Sequence, residues 1–235
     1  ILQDTAEGKR EFEYVSGPIF ANLILADEIN RTPPKTQAAL LEAMQEKQVT
    51  VAGKSRLLDE PFIVYATQNP IEHEGTYPLP EAQLDRFFFC LNIGYPTMDE
   101  EEQIVRQTTA RDQPEATALL DPEQVVALQD ATLDVPIPDH VLKYILKLTH
   151  SSRPDSELAD DFVKNYVSWG AGPRASQNLT RAARALVLLR GKSSASAEEV
   201  QDLVKPVLRH RIIPNYNATG EGISVEQIID HLLEK

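Results

Sequence analysis

Residues 23–28, Leu-Ile-Leu-Ala-Asp-Glu, constrain the fold more than any other stretch, because an apolar run there ends abruptly in two adjacent carboxylates. Apolar residues in succession, without polar alternation, predict a strand buried on both faces, as in a parallel sheet covered by helices. In open α/β sheets ligands bind at the carboxyl ends of the strands, where Asp27 and Glu28 would lie. One carboxylate can hold a divalent cation while its neighbour orients a water for attack on a phosphate. The alternative is that the two acids merely begin a turn.

A second apolar run, over residues 62–67, also ends in polar residues. If the two strands are neighbours, the amide of Asn69 comes to lie beside Asp27 and Glu28, because parallel strands end at the same edge of a sheet. This second strand favours a ligand-binding edge over a simple turn.

Other patterns complete the first part of the chain. Residues 33–47 predict a helix with Thr32 as its N-cap and proline in the first turn. Residues 48–58 predict a hairpin, and a third apolar strand is predicted over residues 87–93.

After residue 96 the strand patterns end, and apolar residues recur at the spacing of helices. The predicted helices cover residues 98–107, 121–130, 139–150, 160–169, 175–189 and 197–209, and a short amphipathic segment follows at 224–233. We therefore expect an α/β domain over residues 1–96 and a small all-helical domain over residues 97–235.

Five stretches closely resemble the MoxR family of AAA+ ATPases in order and spacing, and the resemblance covers nearly the whole chain. They are residues 17–22, 26–37, 66–70, 79–87 and 172–176. The resemblance implies a P-loop-type parallel sheet sandwiched by helices, incomplete at its N-terminus, followed by a helical lid.

The resemblance also implies ATP hydrolysis with Mg²⁺ and gives roles to individual residues. Asp27 would hold the magnesium, and Glu28 would polarise the attacking water. Asn69 would hold that water or the γ-phosphate. Arg174 would act as a second sensor that reports nucleotide to the lid, and Arg86 would complete the site of a neighbouring subunit.

Arg86 precedes the predicted third strand and therefore lies at its amino end, opposite the catalytic edge. It should be unable to reach its own subunit's nucleotide, whereas an arginine finger acting on a neighbour needs such a position. The alternative is a local salt bridge with Asp85 or Glu81.

Arg174 lies in the first turn of a predicted helix, where the helix dipole disfavours a cation. This placement makes sense if a phosphate binds nearby. An exposed arginine without a role is the alternative.

The sequence contains no G-x-x-x-x-G-K-[ST] motif, which a phosphate-binding P-loop needs. We therefore expect an ATPase fragment that lacks its main nucleotide cradle and is inactive alone. If the motif is truly absent from the protein, the alternative is a non-catalytic scaffold.

The net charge of −13, without a basic stripe, argues against nucleic acid as a partner and so against a nucleic-acid motor of related architecture. No apolar run is long enough for membrane insertion, and a cytoplasmic location is expected. The family resemblance implies a homo-oligomeric ring, commonly a hexamer. It also implies client protein complexes that are remodelled or receive a cofactor, with a von Willebrand factor A domain protein as a possible partner.

Overall fold

The computed structural model describes residues 2–4, 10–12, 14–69, 75–111 and 116–235. The chain forms two compact units, Ile1–Pro80 and Glu81–Lys235. Within the described ranges, no helix is both long and apolar enough to cross a membrane.

In its described residues, the first unit contains three strand pairs and one α-helix. In chain order its elements are β1 (Leu2–Asp4), β2 (Arg10–Phe12), β3 (Leu23–Ala26), α1 (Pro34–Glu46), β4 (Gln48–Val51), β5 (Lys54–Leu57) and β6 (Ile63–Ala66). β3 and β6 are parallel, with Ala26 opposite Ala66, whereas β1–β2 and β4–β5 are antiparallel. The predicted parallel pairing and the predicted hairpin are therefore confirmed.

Two local predictions for this unit are wrong. β3 is not buried on both faces, because Leu23 and Leu25 are 63% and 67% exposed. Side chains alternate between the two faces of a strand, and one face of the β3–β6 pair has no covering layer among the described residues. Thr32 does not cap α1: Pro33 occupies the N-cap position, and the Thr32 hydroxyl donates to the Ile29 carbonyl at 2.6 Å.

The second unit is mainly helical, and its described part carries one short strand pair. Its elements are α2 (Glu81–Leu84), α3 (Met98–Thr108), α4 (Pro122–Leu133), α5 (Asp139–Ser151), α6 (Asp161–Tyr166), β7 (Val167–Trp169), α7 (Pro173–Leu189), α8 (Ala197–Leu208), β8 (Ile213–Pro214), α9 (Tyr216–Glu221) and α10 (Val225–Leu233). The predicted helix over residues 160–169 ends at Tyr166, because the next three residues pair with β8.

The core of the second unit is formed chiefly by α5, α7, α8 and α10. Apolar side chains spaced three or four residues apart on these helices are buried. Those with no more than 1% exposure include Val141, Ile145, Leu179, Val187, Val204, Leu208, Ile228, Ile229 and Leu232. The packing fixes the start of α7, where Arg174 lies.

The two units divide between Pro80 and Glu81, earlier than the boundary at 96 that the sequence predicts. The reason is that residues 85–90 bond to the end of α8. The Cys90 amide donates to the Pro206 carbonyl at 2.8 Å, and Arg209 Nη1 donates to the Cys90 carbonyl at 3.1 Å. The predicted strand over residues 87–93 is consequently wrong, since these backbone groups are engaged by the helical unit and not by a sheet.

Candidate active site

Asp27 and Glu28 directly follow β3, and Thr67 directly follows the parallel strand β6. The Thr67 hydroxyl donates to Asp27 Oδ1 at 2.6 Å and accepts from the Glu28 amide at 2.8 Å. Two backbone bonds complete the junction: the Thr67 amide donates to the Ala26 carbonyl, and the Ile29 amide donates to the Thr67 carbonyl. The two carboxylates are thus tied to the end of the neighbouring strand.

Glu28 has an unusual backbone and an exposed partner. Its φ of 49° and ψ of 50° are left-handed, which costs a non-glycine residue about 1–2 kcal/mol. Glu28 Oε2 lies 2.8 Å from Arg31 Nη1, and the side chains are 38% and 51% exposed. Because exposed ion pairs contribute at most about 1 kcal/mol, the carboxylate can exchange Arg31 for a water molecule at little cost.

Gln37 of α1 holds the turn after Glu28 by a hydrogen bond to its backbone. Gln37 is 1% exposed, and its Nε2 donates to the Ile29 carbonyl at 3.0 Å and to the Tyr77 carbonyl at 2.9 Å. The Tyr77 amide in turn donates to the Asn30 carbonyl at 2.6 Å. Both hydrogens of the buried Gln37 amide are therefore used, and they fix the backbone that directly follows Glu28.

Asn69 lies three residues beyond β6 and so follows the same edge as Asp27 and Glu28. Its carbonyl accepts from Asn30 Nδ2 at 3.5 Å, a long contact. The proposed role of its side chain stays a prediction.

The donor set suits magnesium only as part of a nucleotide complex. Among the described residues there is no cluster of three or more His, Cys, Asp or Glu side chains that would hold a metal ion alone. Mg²⁺ is usually held by one or two carboxylates together with substrate phosphates and water. Asp27, whose Oδ1 accepts from Thr67, fits the role of that single carboxylate.

The second unit contains a charge cluster around Asp85, which sequence reasoning considered only as a partner for Arg86. Arg211 Nε donates to Asp85 Oδ1 at 2.8 Å, and Arg174 Nη1 donates to Asp85 Oδ2 at 3.0 Å. The Arg211 side chain is 1% exposed, whereas that of Arg174 is 42% exposed. The predicted sensor arginine, Arg174 at the start of α7, thus binds the Asp85 carboxylate and remains accessible to solvent.

Arg86 is exposed, and the local salt bridge considered as its alternative role is absent from the described structure. Both oxygens of Asp85 are bound by other arginines. No ion pair of Arg86 occurs within the described ranges, so its guanidinium is available to another molecule.

Burial governs the electrostatics beside Asp85. It lowers the pKa of Arg211, an effect that the hydrogen bond to Asp85 opposes. Burial, followed by the positive charge of Arg211, lowers the pKa of His210 from 6.5 to about 4. His210 is therefore neutral at pH 7, and its Nε2 donates to the Phe87 carbonyl at 3.2 Å.

Sequence reasoning missed Thr67 and Arg211. Thr67 had a sequence signal, since a hydroxyl residue directly follows an apolar strand whose neighbour ends in acids. Arg211 had none, because it looks like any other basic residue near a helix end.

Comparisons with known proteins agree with this architecture. Residues 2–89 match the ATPase family associated with various cellular activities (AAA), and residues 160–232 match the AAA lid domain. The chain is 41% identical over 228 residues to the chaperone MoxR1 of Mycobacterium tuberculosis, covering 97% of this chain and 60% of that protein. It is also 41% identical over 227 residues to the uncharacterized protein YeaC of Bacillus subtilis, covering 95% of this chain and 67% of that protein.

A solved structure extends the similarity to three dimensions. The crystal structure of a Cytophaga hutchinsonii protein, described as a candidate ATPase, aligns with a TM-score of 0.91 and 38% identity. The alignment covers 100% of this chain and 71% of that chain. This chain thus spans 60% to 71% of the length of these three proteins.

Proposed function

This chain belongs to the MoxR family of AAA+ ATPases, and we propose that its full-length protein hydrolyses ATP to act as a chaperone on other proteins. The observation that carries the proposal is the pair of accessible carboxylates, Asp27 and Glu28, at the carboxyl end of a parallel strand pair. Such a pair can serve a phosphate-transferring site, one acid for the cation and one to orient the water.

Each acid has a separate task in the proposed reaction. Asp27 holds the magnesium that accompanies ATP, and this cation neutralises charge on the phosphates when it is bound. Glu28 leaves Arg31 and accepts a hydrogen bond from the attacking water, which it orients and polarises. Asn69 helps to hold that water or the γ-phosphate.

Arg174 and Arg86, both in the second unit, act on nucleotide in different ways. Arg174 exchanges its Asp85 partner for a phosphate and so senses the nucleotide. Arg86, exposed and free of an ion pair among the described residues, completes the site of an adjoining subunit as an arginine finger. A shared site of this kind requires adjoining subunits, and we propose that like subunits form a hexameric ring.

Family membership and the name of the mycobacterial relative support a protein client. We propose that the client is a protein complex undergoing remodelling or cofactor insertion, with a von Willebrand factor A domain protein as a partner. We also propose that the protein is cytoplasmic.

The test compares ATP hydrolysis by the full-length protein with that of its Glu28→Gln variant. Loss of a general base costs about 10²–10⁴-fold in rate, so turnover should fall by at least about a hundredfold. ATP binding, measured by calorimetry, should remain, because the amide keeps the shape of the side chain.

Glu42→Gln is the matched control, since Glu42 is an exposed glutamate of α1. Its turnover should equal that of the wild type. An unchanged rate in Glu28→Gln would remove Glu28 from the chemistry. ATPase activity accompanied by tight, salt-sensitive oligonucleotide binding would favour a nucleic-acid motor instead.

A further inference from the structure

The side chain of Thr67 makes contacts that its place directly after β6 does not require. The two backbone bonds that Thr67 forms with Ala26 and Ile29 would be formed by almost any residue at this position. The hydroxyl adds two more bonds, one to the Asp27 carboxylate and one from the Glu28 amide. It is therefore the one described side chain that bonds to both residues of the acidic pair.

The chemistry of the partners fixes the direction of both bonds. A backbone N–H can only donate, so the Thr67 oxygen must accept from Glu28. The hydroxyl has a single proton, and the geometry directs it to Asp27 Oδ1 at 2.6 Å. One oxygen atom thus couples the backbone of Glu28 to the carboxylate of Asp27.

The bond to the Glu28 amide also bears on the strained backbone. Glu28 is left-handed, a conformation that persists in a non-glycine residue only where its surroundings hold it. The Thr67 oxygen supports this conformation from the neighbouring strand, at 2.8 Å from the amide. Without the hydroxyl, the backbone that aims the Glu28 side chain loses one of its restraints.

We propose that Thr67 is a positioning residue, which orients Asp27 toward the magnesium of MgATP and Glu28 toward the attacking water through a single hydroxyl. The inference rests on the proposed ATPase function. It extends that function by naming the group that sets the relative geometry of the two acids. The hydroxyl moves no proton in the reaction and touches no substrate.

Two substitutions in the full-length protein separate the hydroxyl from the shape of the side chain. Thr67→Val keeps the branched shape and removes the hydroxyl, whereas Thr67→Ser keeps the hydroxyl. Outer-shell partners of metal ligands typically contribute about 10- to 100-fold in affinity or activity. We expect Thr67→Val to lower kcat/KM for MgATP by about 10- to 100-fold, with both kcat and KM affected, and Thr67→Ser to restore most of the rate.

Metal binding gives a readout that needs no turnover. Mn²⁺ binding in the presence of the non-hydrolysable analogue AMP-PNP is measured by electron paramagnetic resonance. Thr67→Val should weaken this binding by about tenfold, and Thr67→Ser should leave it near the wild-type value. Thr50→Val is the matched control, because Thr50 is a threonine of β4 whose exposed hydroxyl also makes a side-chain contact, to Ser55. It should change neither readout.

The two readouts distinguish the inference from the proposed function. Wild-type kcat/KM and Mn²⁺ affinity in Thr67→Val would overturn the role of Thr67 and leave the ATPase intact. Equal losses in Thr67→Val and Thr67→Ser would also overturn it, since the hydroxyl would not be the cause. If the wild type binds Mn²⁺ with AMP-PNP but hydrolyses no ATP, the proposed function fails, and the Mn²⁺ comparison alone decides the role of Thr67. No Mn²⁺ binding in the wild type would overturn both.

Discussion

Arg211 should contribute more to the stability of the helical unit than its sequence position suggests. Its guanidinium uses all five N–H groups: one binds Asp85 Oδ1, and the others bind carbonyl oxygens. These carbonyls belong to Asp85, Phe87, Phe88 and Val207. Arg211→Met keeps much of the apolar stem but leaves all five acceptors without this partner.

The expected cost follows from burial. Removing one partner of a buried ion pair typically costs about 3–5 kcal/mol. Asp85 is 28% exposed and keeps its bond to Arg174, so we expect the lower end, about 3 kcal/mol. A loss of this size corresponds to a melting temperature lower by roughly 6–12 °C in a unit of this size.

Arg174→Met is the matched comparison, because it removes the other arginine from the same carboxylate. The Arg174 side chain is 42% exposed and makes one bond to Asp85, so its loss should cost no more than about 1 kcal/mol. Urea unfolding of the 235-residue chain, followed by circular dichroism at 222 nm, measures both variants. A cost below about 1 kcal/mol for Arg211→Met, or equal costs for the two variants, would refute the reasoning.

Three further predictions test other parts of the structure. The unfolded chain protonates His210 near its ordinary pKa of 6.5 and the folded chain only near 4, so stability should fall by up to about 3 kcal/mol as the pH falls through this window. His210→Gln should remove that part of the slope in urea titrations. A Cβ at Gly170 would overlap the backbone carbonyl oxygen of Ser152, so Gly170→Ala should destabilise the chain by about 1–3 kcal/mol in thermal melts. Gly172→Ala, which meets nothing within 4 Å, should cost less than about 1 kcal/mol, the usual loss at an N-cap. Full-length Arg86→Ala and Glu28→Gln subunits should each be inactive and regain ATPase activity when mixed, because a mixed ring contains complete interfaces; no rescue at any ratio would argue against a shared site.

Local patterns were sufficient for most of the fold. The apolar runs around residues 23–26 and 62–66 identified the parallel pair, and turn residues identified the β4–β5 hairpin. Helices α3, α4, α5, α7 and α8 were predicted to within three residues at each end. N-cap signals explain part of this accuracy: the Asp121 carboxylate accepts from the Gln124 amide at 2.8 Å, as a capping box requires. Each of these features depends on residues close together in sequence.

Features that depend on distant contacts could not be read from the sequence. Arg211 and Asp85 are 126 residues apart, and no periodicity links them. The run at residues 87–93 has the composition of a strand, but its backbone bonds go to α8 and the residues after it. The exposure of Leu25 likewise depends on which layers cover the sheet, which an apolar run alone does not reveal.

The Asp85 cluster gives the two proposed arginine roles a common structural basis. Arg86 directly follows Asp85, and the turn that carries both is fixed by the buried guanidinium of Arg211. Arg174 holds the same carboxylate by a single, half-exposed bond. If Arg174 leaves for a phosphate, Arg211 still compensates the charge of Asp85, so the turn need not unfold. Because Arg211 stays bound and only Arg174 exchanges, Arg86 would keep its exposed position toward a neighbouring subunit while Arg174 senses the nucleotide.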